Sequence, residues 1–182
     1  MLAAAALVKV MQNGPAAQIA LRYHLQGPSL THSVTCSSSS VSIGESMRSI
    51  RHGYADVMLA GGAEALFAYV SMKAWQALHV LAPPRLENIA ATCRPFSKDR
   101  NGTVLGDGAA FVVLEELERA TKRNANIYAE LAGYGSSNDA THMTQPSVEG
   151  QVMAMELALA DAHMSTDAVD YVNAHGTGTQ LN

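Results

Sequence analysis

Cys36 and His175 are the two residues whose types and settings could together do covalent chemistry. Cys36 ends an apolar run and opens the tetrad Ser37-Ser38-Ser39-Ser40, with a helix-like segment behind it. A thiol at a strand-to-helix junction sits at the positive end of a helix, where main-chain N–H groups and the macrodipole stabilise negative charge on sulfur. Small and hydroxylated neighbours leave room for a substrate, and the same N–H groups could hold an oxyanion. His175 lies in Asn173-Ala-His175-Gly-Thr177-Gly-Thr179. Gly176 and Gly178 allow a backbone to approach a ligand closely, and the hydroxyls of Thr177 and Thr179 can bind a polar chain. The pair suggests acyl chemistry on sulfur. Each residue also has a plain reading: position alone leaves Cys36 open between nucleophile and structural thiol, and a loop histidine with no role is the commoner case. Cys93 has neither feature of Cys36 and reads as incidental.

Such groups need strands that end at them and helices that begin there. Residues 16–25 read as a helix stopped by Gly27-Pro28, and residues 29–35 as a short strand aimed at Cys36. Ile43, Met47 and Ile50 recur at helical spacing across residues 37–51. Residues 55–60 form an apolar run closed by Gly61-Gly62, and residues 108–115 form a second; both read as buried parallel strands. Helices are expected over 70–81 and 116–123, with a long surface excursion over 85–102. Residues 127–135 and 169–173 read as strands, the second delivering His175. Val148, Val152, Met155, Leu159 and Ala162 keep one helical face apolar. Strand and helix patterns alternate throughout, so the class is α/β with a largely parallel sheet.

Composition narrows the function. The net charge of −4, with no basic cluster, argues against a nucleic-acid surface. Residues 1–8 are apolar but too short to span a bilayer and have no basic flank, so they read as a buried helix or strand. Two cysteines without export signals read as free thiols of a cytoplasmic protein. The seven histidines are scattered and show no metal-ligand spacing, so no metal or cofactor is expected. The glycines fit neither a dinucleotide nor a P-loop fingerprint, and no Gly-x-Ser-x-Gly elbow is present.

The ordered set Gly27-Pro-Ser29, Thr35-Cys36-Ser37-Ser38, residues 55–64, Arg94-Pro-Phe-Ser-Lys-Asp-Arg100, Gly106-Asp-Gly108 and residues 172–179 resembles the β-ketoacyl-acyl carrier protein synthases. Residues 137–144 look most like synthase II. The resemblance implies a thiolase-like αβαβα layered fold, incomplete in this chain. Residues 1–124 would form the later part of the N-terminal half, and residues 125–182 the first part of the C-terminal half. It implies Cys36 as the acylated nucleophile and His175 as the first of two histidines assisting decarboxylation of a malonyl thioester. Thr177 and Thr179 match hydroxyls that bind the phosphopantetheine arm, with Thr144 beside that tunnel. The implied partners are a phosphopantetheinylated acyl carrier protein, bearing acyl and malonyl groups, and a second copy of the parent in a homodimer.

Departures matter too. The resemblance implies a fragment without the segment that carries the second histidine and a glycine-rich oxyanion loop. The isolated chain is therefore expected not to complete condensation and to be poorly soluble. Thr35 stands where the family commonly has alanine, and Trp75 and His79 stand where synthase II often has Phe and Arg. A polyketide ketosynthase fragment, a non-catalytic paralogue and a Cys/His hydrolase or transacylase are the alternatives.

Overall fold

The computed structural model describes residues 11–142 and 145–182, which form two units. Of the described residues, those up to 62 and those of 110–169 belong to the first, those of 63–109 and 170–182 to the second. The expectations for residues 1–8 and for Thr144 lie outside the described residues.

Helix α1, Gly14–Tyr23, starts on a proline in its first turn and stops where His24 turns left-handed, four residues before Pro28. Helix α2, Ser38–Arg51, follows Cys36 as the sequence predicts. Strands β1, Val57–Glu64, and β2, Gly108–Glu115, form a two-stranded sheet. The Glu116 N–H donates to the Asp56 carbonyl at 3.3 Å, while Gly61 lies against Ala110 and Phe111. That register is antiparallel, which corrects the parallel expectation. Nor are the strands buried throughout, since β2 is exposed over most of its length; a continuous apolar run does not encode strand direction. Gly61 and Gly62, expected to close β1, lie inside it.

Those glycines seat α2. The Gly61 N–H points to Ser42 Oγ at 3.4 Å, and a side chain on Gly62 would meet Ser39 Cβ at 2.9 Å. Lower on α2, Gly44 leaves the space that the Tyr134 ring fills, and the Arg48 guanidinium lies 4.9 Å from that ring's centre. Helix α5, Val148–Asp161, ends in a carboxylate that accepts from the Tyr134 N–H at 2.9 Å and from Arg51 at 2.9 and 3.0 Å. The Tyr134 N–H first, then Arg51, hold the Asp161 carboxyl below its usual range. Being exposed, the ion pair adds little stability by itself; its role is to fix α2 against the segment bearing Tyr134.

No strand forms over residues 29–35, 127–135 or 169–173, against expectation. A strand exists only where a neighbour receives its N–H and C=O groups. Among the described residues only β1 and β2 pair as strands; elsewhere there are two isolated bridges, Val34 with Cys36 and Leu81 with Thr103. Burial tells the same story. The hydrophobic residues buried among those described are Met47, Ala60 and Ala120. The apolar face of α5 is open, with Val152 40% and Met155 52% exposed.

In the second unit, helix α3, Tyr69–Ala77, is shorter than expected and gives way to a turn with His79 at φ 56°. Helix α4, Leu117–Lys122, returns to the first unit, capped by the Glu116 carboxylate on the N–H groups of Glu118 and Arg119. Residues 85–102 are more than a surface excursion. They contain a 3₁₀ turn, Ile89–Thr92, and bury both Thr92 and Gly102. They also wall an open apolar cleft of about 520 Å³ whose lining includes Phe67, Met72, Leu81 and Cys93.

Candidate active site

Cys36 is a free, exposed thiol one residue ahead of the α2 N-cap, Ser37. Its elbow is tightly determined. Thr35 has φ 49°, a left-handed conformation that is a true outlier for a β-branched residue and costs about 1–3 kcal/mol. The hydroxyl of Ser38 holds it there, accepting from the Val34 N–H at 2.8 Å and donating to the Thr35 carbonyl at 2.7 Å. The Ser37 and Ser38 N–H groups close back onto Val34 and Thr35 at 3.1 and 3.2 Å. The side chain of Ser37 makes no cap. Among the described residues, the first-turn N–H groups of Ser39 and Ser40 meet no acceptor. The sulfur thus stands at an open helix N-terminus, whose donors and dipole are suited to developing negative charge.

His175 is in the second unit. It is exposed, and among the described residues its ring has no hydrogen bond or ion pair. The turn after it depends on Gly176 at φ 57° and Gly178 at φ 81°. At Gly176 even a methyl group would come within 2.9 Å of the Phe96 ring. The hydroxyls of Thr177 and Thr179 meet at 2.9 Å, so the structure brings this predicted pair together. One hydroxyl hydrogen joins them, and Thr177 Oγ1 also accepts from the Thr179 N–H at 3.4 Å; the other hydroxyl hydrogen is available to a polar ligand.

Sequence reasoning assigned no role to the arginines of residues 94–100, yet they build the ground on which that turn stands. Arg94 donates to the Asp99 carbonyl at 2.6 and 3.0 Å and to Asn101 Oδ1 at 2.9 Å. The Asp99 carboxylate accepts from Ser97 at 2.5 Å and from Arg85. Arg100 reaches out of this loop to the carbonyls of Thr179, Gln180 and Asn182. The available signal was chemical: three cations around one aspartate in a segment with no helical or strand period. Among the described residues no group of three His, Cys, Asp or Glu side chains could hold a metal ion.

The Ser97 hydroxyl, then the Arg85 and Arg94 charges, pull the Asp99 carboxyl down to about 2. A lowered folded value means that the ionised carboxylate favours the folded loop. Its contribution is complete above the ordinary carboxylate range and is lost as pH falls toward about 2. The side-chain resonance of Asp99 is expected to titrate near 2, and Ser97→Ala should move that midpoint upward. A midpoint at the ordinary carboxylate value in the unmodified protein would refute this.

The fold is that of thiolase-like ketosynthases. A type II polyketide ketosynthase, solved in complex with its acyl-carrier protein, superposes with a TM-score of 0.94 at 36% identity, covering 100% of this chain and 45% of that one. A β-ketoacyl synthase from Burkholderia phymatum STM815 superposes with a TM-score of 0.93 at 39% identity, covering 99% and 44%. The family model "Beta-ketoacyl synthase, N-terminal domain" matches residues 2–120, and "Beta-ketoacyl synthase, C-terminal domain" matches residues 128–182. The chain belongs to the β-ketoacyl synthase family. Among curated relatives, Nodulation protein E of Rhizobium sp. (strain N33) is 47% identical over 174 residues, and 3-oxoacyl-[acyl-carrier-protein] synthase 2 of Rhizobium meliloti (strain 1021) is 43% identical over 169. The chain spans only about 42% and 40% of their lengths. Among the described residues no helix is long and apolar enough to cross a membrane.

Proposed function

We propose that the parent protein carrying this chain is a β-ketoacyl-acyl carrier protein synthase that condenses an acyl group with a malonyl unit in fatty acid elongation. The observation that carries the reading is the Cys36 elbow, a thiol held by a strained Thr35 at an open helix N-terminus in a chain of this family. In the first step the Cys36 sulfur attacks the acyl thioester of a phosphopantetheinylated carrier protein, forming a new S–C bond as the carrier thiol leaves with a proton. In the second, a malonyl thioester loses CO2, and the electron pair of the broken C–C bond becomes an enolate. The enolate carbon attacks the acyl group, and the Cys36 sulfur departs. His175 would stabilise the enolate, while Thr177, Thr179 and Thr144 would line the path of the pantetheine arm.

The same reading takes residues 1–124 and 125–182 as parts of two thiolase-like halves and the parent as a cytoplasmic homodimer. Support for the carrier partner comes from the related ketosynthase solved with its acyl-carrier protein. That complex, described as bound to a hexaketide, also supports a second reading in which the growing chain is a polyketide. The test is to give the parent acyl- and malonyl-carrier thioesters and identify the product. A β-ketoacyl carrier thioester with stoichiometric CO2 supports condensation. Free acid without CO2 would instead mark a thioester hydrolase and overturn it. Acceptance of a β-ketoacyl primer as readily as a saturated one would move the assignment to polyketide synthesis.

A further inference from the structure

We infer that Arg100 is the positioning residue that sets the Thr177–Thr179 hydroxyl pair for its ligand. This rests on the reading that the pair binds the pantetheine arm. The guanidinium is half-buried and spends its donors on main-chain carbonyls. Nε reaches Thr179 at 3.0 Å and Asn182 at 2.9 Å, Nη2 reaches Gln180 at 2.8 Å, and Nη1 ties the fork to Ser97 at 3.1 Å in its own loop. These contacts span some eighty positions of sequence and end on the residue that carries one of the two hydroxyls.

Three features make this a positioning device and not general adhesion. First, the turn's own main-chain bonds are long, at 3.2 Å from the Asn182 N–H to the Thr179 carbonyl and at 3.4 Å from the Thr177 N–H to Asn182 Oδ1 and from the Thr179 N–H to Thr177 Oγ1. Gly176 and Gly178 both sit at positive φ, and glycine there has no side chain to lock the backbone. Second, the main-chain tie from the neighbouring loop, Gly102 N–H to the Gly178 carbonyl at 2.9 Å, fixes only the point between the two threonines. Arg100 supplies the second point, beyond Thr179, and two fixed points define the direction in which the hydroxyls face. Third, the base of the fork is itself braced. Arg94 grips the Asp99 carbonyl immediately before Arg100, and Ser97 and Arg85 hold the Asp99 side chain. Charge-assisted bonds of this kind are roughly twice as strong as neutral ones, and a planar fork keeps several directions at once where an ammonium cannot.

The test uses the parent protein and steady-state kinetics with a malonyl-carrier thioester. Arg100→Lys, which keeps the charge but loses the fork, is expected to raise KM about tenfold with kcat changed less than about twofold; Arg100→Gln should go further in the same direction. With Thr177→Val and Thr179→Val already in place, Arg100→Lys is expected to add less than about twofold, because the arginine acts through those hydroxyls. An unchanged KM in a folded Arg100→Lys protein overturns the inference while leaving the pantetheine reading intact. Full additivity with the threonine variants also overturns it. An unchanged KM for the threonine variants alone, with Arg100 present, overturns the pantetheine reading and this inference with it. Should Arg100→Gln fail to fold, Arg100→Lys decides.

Discussion

Cys36→Ala is expected to abolish the acyl adduct on the parent protein and to lower condensation by at least about 10³-fold. The size of the effect follows from the chemistry. Without the sulfur the two half-reactions have no shared intermediate, and an enolate released near a carrier thioester meets no acyl group held for it. The substitution is also structurally mild. Cys36 is exposed, and the bonds that shape its elbow run from Val34 and Thr35 to Ser37 and Ser38, none through the sulfur. Loss of function can therefore be assigned to the missing nucleophile. Intact-mass measurement after incubation with an acyl-carrier thioester is the direct reading. The adduct should vanish in Cys36→Ala and survive in Cys93→Ala, because Cys93 lies in the apolar cleft of the other unit. An adduct that persists without Cys36 would sink the nucleophile assignment.

The elbow also explains what the sequence revealed and what it hid. Helices were legible because their signals are local. The apolar spacing of Ile43, Met47 and Ile50 and the breakers Gly27-Pro28 act within one or two turns, and α1, α2 and α5 fall close to their expected bounds. Strands were not legible in the same way. Residues 29–35, 127–135 and 169–173 have suitable composition, but a strand is a relation between two segments, and no partner is available among the described residues. Direction is likewise absent from an apolar run, so β1 and β2 were found while their antiparallel pairing was not.

At the candidate site, residue types point to Cys36, His175, Thr177 and Thr179, yet not to the means of holding them. In the sequence Thr35 stands out only as a departure from the alanine common in the family. Its left-handed φ emerges from the Ser38 hydroxyl, an ordinary member of a serine run until the turn places it. Arg100 stood inside a quoted motif without a role because its partners lie some eighty residues away. Long-range hydrogen bonds to carbonyls leave no trace in composition, since every residue has a carbonyl.

The second large effect separates the two halves of the reaction. His175→Ala in the parent is expected to lower condensation by about 10²–10⁴-fold while Cys36 is acylated to the same extent as before. What the imidazole does not touch decides the expected outcome. An exposed ring with no protein partner among the described residues is not holding the fold together, and its nitrogens are available to a reacting oxygen. Its backbone is carried by other devices: Gly176 packed under Phe96, and the turn held at Gly178 by Gly102. Removing the imidazole should therefore leave the turn and its threonine pair in place. CO2 release from the malonyl thioester and the mass of the Cys36 adduct can be followed in one reaction. Loss of CO2 release with a full adduct assigns His175 to the decarboxylation and enolate step. Equal loss of both would make it a structural residue or a partner of Cys36 in acyl transfer, and unimpaired CO2 release would remove it from the mechanism.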